Sequence, residues 1–130
     1  MLRQAILCVD DEPIILQSLR DQLEHHFGDQ YLYEFAESVD EAFEILAELH
    51  QIEFQILLIV SDWLMPDMKG DEFLLQVHRR FPDIALIMLT GQADDTAIAR
   101  LQESARLTAC LRKPWTEQEL IRVVTLGLMS

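Results

Sequence analysis

Five times along the chain a short apolar run gives way to a longer segment with a helical apolar stripe, and this alternation limits the possible folds more than any other feature. The runs are "AILCV" (5–9), "YLYEFA" (31–36), "FQILLIV" (54–60), "IALIML" (84–89) and "ACL" (109–111). "FQILLIV" and "IALIML" are apolar on both faces, as a central strand is when helices cover both sides of a parallel sheet. The intervening segments read as helices. Residues 13–27 begin at Pro13, suited to a first helical turn, after Asp11 and Glu12 at its positive end. Their stripe is Ile15, Leu16, Leu19 and Leu23. Residues 38–51 open with Ser38 and Glu41 in capping-box spacing, and residues 116–129 with Thr116 and Glu119. Residues 70–81 form a helix stopped at Pro82, and residues 94–106 a weaker one. Parallel strands need such crossovers, and the crossovers are right-handed. The expected fold is a doubly wound α/β sandwich, (βα)5, with a five-stranded parallel sheet in the order 2-1-3-4-5.

At 130 residues the chain is the size of one domain, 1–130, and half of its residues are hydrophobic. It can therefore bury a core without disulfides or a structural metal. Cys8 and Cys110 stand apart in apolar segments and read as reduced core thiols of a cytoplasmic protein. No apolar run approaches the ~20 residues of a membrane span, and the N-terminus meets acid too early for a signal peptide. The net charge of −13 disfavours direct binding of nucleic acid and suits a bound cation or a basic partner surface.

In open parallel sheets ligands bind beyond the carboxyl ends of the strands. The residues placed there are Asp10, Asp11 and Glu12 after the first strand, Asp62 after the third, Thr90 and Gly91 after the fourth, and Lys113 and Pro114 after the fifth. In the order 2-1-3-4-5 these converge. Three carboxylates within a few ångströms repel, so either one is protonated or a cation sits among them. Oxygen ligands without His or Cys favour a hard cation such as Mg2+. A divalent metal, the Lys113 ammonium and the Thr90 hydroxyl around one Asp are the parts for handling a phosphoryl group. Asp62 can then be the nucleophile, forming an acyl phosphate.

The segments "VDDEP", "SDWLMPDMKG", "MLTG" and "RKPW", in that order over nearly the whole chain, closely resemble the receiver domain of two-component response regulators, a flavodoxin-like fold. Each piece alone is weak, whereas the set on a fivefold βα alternation is highly specific. The resemblance implies that Asp62 accepts the phosphoryl group and that Asp11 binds Mg2+ directly, with Asp10 assisting through water. The main-chain carbonyl of Leu64 is a further metal ligand. Thr90 hydrogen-bonds the phosphoryl oxygen, Lys113 pairs with it, and the Lys113–Pro114 bond is cis. Leu64 and Gln92 occupy positions that tune hydrolysis. The implied partners are a sensor histidine kinase or phosphotransfer protein as donor, and an output domain or effector protein as recipient of the signal. The chain is then a stand-alone receiver or the N-terminal part of a larger regulator. Beyond its own phosphorylation and dephosphorylation it is not an enzyme. The alternatives are a phosphorylation-independent interaction module and a small hydrolase with an aspartyl-phosphate intermediate. Leu64 argues against the hydrolase, since it stands where such enzymes place a second Asp.

One position departs from the family pattern. Three residues before Lys113, where many receivers carry Tyr or Phe, stands Cys110, which cannot report a shift of Thr90 by swinging a ring. Trp115 is the residue expected to take over part of that surface. His25 and His26 read as a solvated helix end, Met65 as a packed loop residue, and Asp67, Asp94 and Asp95 as solvated loop or capping acids. The last helix carries Ile121, Val123, Val124, Leu126 and Leu128, more apolar surface than one core face needs. It suits an output domain, or a homodimer through the last strand and the last two helices.

Overall fold

A computed structural model of the chain describes residues 3–91 and 95–129. Gln92 and Asp94 fall outside these residues. The elements run β1 (Gln4–Val9), α1 (Pro13–Phe27), β2 (Leu32–Ala36), α2 (Val39–Gln51), β3 (Gln55–Asp62), α3 (Gly70–Arg80), β4 (Ala85–Thr90), α4 (Asp95–Ser104), β5 (Ala109–Arg112) and α5 (Glu117–Leu128). All strand pairs are parallel, in the order β2-β1-β3-β4-β5. This is the expected doubly wound α/β sheet.

The sheet separates two apolar layers. Leu7, Val9, Ile59, Leu86 and Met88 face α2, α3 and α4, where Ala42, Leu46, Phe73, Leu74 and Leu101 meet them. Ile6, Cys8, Val60, Ile87 and Leu89 face α1 and α5, against Leu19, Leu23, Leu120 and Val124. Period-two alternation in strands buried on both sides produces this division. Each of the buried Leu, Ile, Val, Met and Phe side chains contributes roughly 1.5–3 kcal/mol by leaving water. The alternation breaks once. Between β1 and β3 the register shifts after Ala5, and Leu57 and Leu58 fall on the same side of the sheet.

Two strands run further than their apolar runs indicate. β3 continues through Ser61 to Asp62, and β4 includes Thr90. The site residues expected just after these strands are their final residues, so the ladder itself fixes them: Asp62 pairs with Leu89, and Thr90 with Arg112. Helix capping follows the sequence signals with one difference. Thr116 and Glu119 form the full reciprocal box on α5. On α2, Ser38 accepts from the Glu41 N–H, but the Glu41 carboxylate reaches the N–H of Glu37 instead of that of Ser38.

Candidate phosphoryl-acceptor site

Main-chain hydrogen bonds carry the sheet's register past its strand ends. The Asp10 N–H donates to Ala36 O (3.0 Å), the Trp63 N–H to Leu89 O (2.9 Å) and the Lys113 N–H to Thr90 O (2.8 Å). Asp10, Asp62, Thr90 and Lys113 are thereby set side by side along the sheet's carboxyl edge. The Lys113–Pro114 bond is cis, as the resemblance implied.

Lys113 Nζ lies 3.0 Å from Asp10 Oδ2 and 3.0 Å from Asp62 Oδ1. Asp10 is fully buried, and its Oδ1 accepts from the Glu12 N–H at 2.9 Å. Both Asp10 oxygens are therefore engaged, which suits an assisting role better than direct ligation. Asp11 is exposed, and ligand atoms of Asp10, Asp11 and Asp62 lie within 4.8 Å of one another. Asp11 and Asp62 border a cavity of roughly 280 Å³ lined also by Glu12, Trp63, Leu64, Gly91 and Lys113. Leu64 is exposed at its mouth.

Electrostatics follow from burial and charge count. Burial, foremost, raises the pKa of Asp62, and the neighbouring Asp10 and Asp11 charges add to it against the opposing pull of Lys113. Asp10 is raised as well, again chiefly by burial, although its bonds to the Glu12 N–H and to Lys113 oppose this. For Lys113 burial alone would lower the pKa, but its bonds to the two carboxylates prevail and raise it. One ammonium facing three carboxylates leaves two negative charges uncompensated. The donor set contains only oxygens and opens on a cavity, so it fits a hard divalent cation such as Mg2+. Asp11, Asp62 and the Leu64 carbonyl are the groups that would hold it, with Asp10 behind them.

Thr90 Oγ1 is buried without a hydrogen-bond partner among the described residues. An unpaired buried hydroxyl costs about 1–3 kcal/mol, and this one sits on the edge shared with Asp62 and Lys113. A donor left in wait there suits an oxygen that arrives with a ligand.

The loop between β3 and α3 is closed tightly. The Gly70 N–H donates to Trp63 O at 2.7 Å, and a Cβ at Gly70 would clash with Asp62 O. Only glycine fits there. Met65 is buried in the α2–α3–α4 layer, as expected of it. Asp67 is a capping acid, but of another helix: its Oδ2 accepts from the Val39 N–H (3.1 Å) and the Asp40 N–H (3.4 Å) at the start of α2. Sequence reasoning recognised the residue type but had no signal for the distant helix.

Further from the site, Trp115 does not share a surface with Cys110. Cys110 packs into the α2–α3–α4 layer, whereas Trp115 packs on the α1–α5 side and donates from Nε1 to Gln22 Oε1 at 2.8 Å. β5 lies between them. His25, expected to be merely solvated, is exposed but pairs through Nδ1 with Glu117 Oε2 at 2.9 Å. Cys8 and Cys110 are free thiols, and burial raises Cys8 to about 12. Among the described residues no helix is long and apolar enough to cross a membrane.

Residues 6–125 match the family model of the response regulator receiver domain. The chain is 31% identical over 119 residues to the hydrogenase transcriptional regulatory protein HoxA of Cupriavidus necator, covering 92% of this chain and 23% of that protein. It is 33% identical over 94 residues to the sensor kinase CckA of Brucella abortus, covering 72% of this chain and 10% of that one. Its fold superimposes with a TM-score of 0.85 on the signal receiver domain of an HD domain-containing protein from Pseudomonas fluorescens. That pair is 31% identical, over 98% of this chain and 95% of the other. The chain thus spans a quarter or less of these two curated relatives.

Proposed function

The chain belongs to the response regulator receiver domain family, and on that premise we propose that it is a phosphorylation-controlled switch whose acceptor is Asp62. The observation that carries this reading is the position of Lys113 Nζ, 3.0 Å from both Asp10 and Asp62 beside an unpaired Thr90 hydroxyl. Lys113 holds Oδ1 of Asp62, leaving the other carboxylate oxygen as the attacking atom. A phosphohistidine of a sensor kinase or phosphotransfer protein is the donor. A P–O bond to Asp62 forms as the P–N bond breaks, and the released imidazole keeps the electron pair. Mg2+, when bound, offsets the negative charge that gathers on the transferring group.

Lys113 is placed to follow the new charge, exchanging its contact with the Asp62 carboxylate for one with a phosphoryl oxygen. Thr90 Oγ1 gains the acceptor it lacks at rest. The two movements draw the ends of β4 and β5 towards Asp62 and shift an equilibrium on the face of α4, β5 and α5. That face would signal to an output domain or effector protein, or to a second copy of the chain, through exposed residues such as Leu126. The same reading makes the protein cytoplasmic, a location that suits two free thiols.

The test is incubation with Mg2+ and a small acyl phosphate, followed by intact-mass measurement. One added phosphoryl group is expected, and none in Asp62→Ala. An unmodified wild-type mass would overturn the assignment. Leu64 sets a further expectation. Its apolar side chain at the cavity mouth cannot orient an attacking water by hydrogen bonding, so the phospho-form is long-lived. Leu64→Asn should shorten its lifetime by roughly tenfold, the range of one positioned hydrogen bond, as followed by the decay of the phospho-protein mass.

A further inference from the structure

The loop that presents Asp62 and Leu64 is held to the body of the protein in two different ways. Its base is fixed by the sheet and by itself: Trp63 bonds to Leu89, Gly70 closes on Trp63, and Met65 is buried. Its outer side is held by one exposed side chain, Asp67, whose carboxylate takes the N–H groups of Val39 and Asp40. These are the first two amides of α2, left without intrahelical partners and carrying the helix's partial positive charge. The third free amide of that turn, Glu41 N–H, is already served by Ser38 Oγ at 3.1 Å. α2 therefore has a local cap at Ser38 and a remote one that comes from the acceptor loop.

Ser38 already caps α2 from its own chain, whereas Asp67 is the acceptor that joins this helix end to the β3–α3 loop. We propose that Asp67 is a positioning residue: by anchoring the β3–α3 loop on α2 it fixes the Leu64 carbonyl and Asp62 in the arrangement that receives a divalent cation. The inference rests on the proposed function for its metal, but the tether itself exists without one. Asp67 touches neither the cation nor the phosphoryl group and acts only through the main chain between Asp62 and Gly70.

Ser38 provides the control, because Ser38→Ala removes a cap from the same helix end without touching the loop. Amide hydrogen exchange on the metal-free protein tests the tether. Asp67→Ala should speed exchange of the Val39, Asp40, Trp63 and Gly70 amides, whereas Ser38→Ala should leave Trp63 and Gly70 unchanged. Mg2+ titration by calorimetry tests the consequence. Asp67→Ala should weaken binding about fivefold, within the range of one ordinary hydrogen bond, because only part of the tether's energy reaches the site. Asp67→Asn, which keeps a side-chain acceptor, should recover most of the affinity, and Ser38→Ala should stay at the wild-type value. Unchanged exchange at Trp63 and Gly70 in Asp67→Ala, or equal loss of Mg2+ affinity in the Asp67 and Ser38 variants, would overturn the proposal. If the wild-type protein binds no Mg2+, the reading of the site fails, while the exchange experiment still decides the tether.

Discussion

The two ends of the proposed switch are built to different standards. Around Asp62 the fixed charges are tied more than once, while the Thr90 hydroxyl stays unpaired. Asp10 uses both carboxylate oxygens, Lys113 bridges two acids, and the loop to α3 closes through a glycine that no other residue can replace. At Cys110, where β5 faces α3 and α4, a half-buried thiol fills the place where many receivers carry an aromatic ring. The nearest large ring in the sequence, Trp115, is fastened to Gln22 on the other side of the sheet. The contrast teaches that capture of a phosphoryl group and transmission of its arrival are separable demands. The first needs charges fixed to within tenths of an ångström, and the second only two packings of similar energy.

Changing one small residue at each end puts the comparison to its harshest test. Gly70→Ala drives a methyl into the carbonyl of Asp62, so the loop must open or the strand end must move. A loss of about 3 kcal/mol or more in denaturant unfolding is expected, together with loss of Mg2+ binding. Cys110→Ala deletes one half-buried sulfur and should cost about 1 kcal/mol or less, with phosphorylation unchanged. Similar costs for the two variants would mean that the ends do not differ in tightness.

The charge balance makes a smaller difference, and its sign can be worked out. Asp10 and Asp62 have pKa values raised by burial in the folded protein. Between the unfolded value near 3.8 and the raised folded value, the native state holds more protons than the unfolded one. Stability from this pocket is therefore present at acid pH and is lost as pH rises through the folded values. Lys113, also raised, adds a loss of the same sign at alkaline pH, its contribution disappearing as pH rises through its folded value. Without metal, Asp62→Asn should gain stability over the wild type as pH rises from 4 towards 7, because it removes one of the raised acids. Mg2+ at roughly ten times its dissociation constant should return about 1.4 kcal/mol to the wild type and little to the variant. Parallel pH profiles for the two proteins would show that the carboxylates are not in conflict.

How much of this was legible in the sequence depended on the distance over which each feature is encoded. The strands, the helices, the caps at Ser38 and Thr116 and the acid–lysine constellation follow from local pattern and from the rule that sites gather at strand ends. The apolar runs stop short of the ends of β3 and β4, because Asp62 and Thr90 are polar, whereas the ladder continues through them. The shift at Leu57 leaves no mark in an apolar run, since every residue there suits either face. The pairs Asp67–Val39, His25–Glu117 and Gln22–Trp115 join residues 28, 92 and 93 positions apart. No periodicity encodes such pairs. They depend on how the packed helices bring their ends together. The side of the sheet on which Trp115 falls is of the same kind: the turn after β5 decides it.

That last point yields the finest distinction between the two ends, and the two tryptophans can read it. Trp63 follows Asp62 directly, lines the cavity, and lies with its ring 5.7 Å from Lys69 Nζ. Trp115 follows Pro114 but is held on α1 by its bond to Gln22, on the α1–α5 side of the sheet. On addition of Mg2+ and beryllofluoride, emission should change in the wild type and in Trp115→Phe, and should be nearly constant in Trp63→Phe. If Trp63→Phe keeps the full response, the α1–α5 side carries the signal after all, and Trp115 would be the exit that Cys110 does not provide. If only Trp63 responds, transmission lies on the α3–α4 side, where Thr90 and Cys110 can act without a rotating ring.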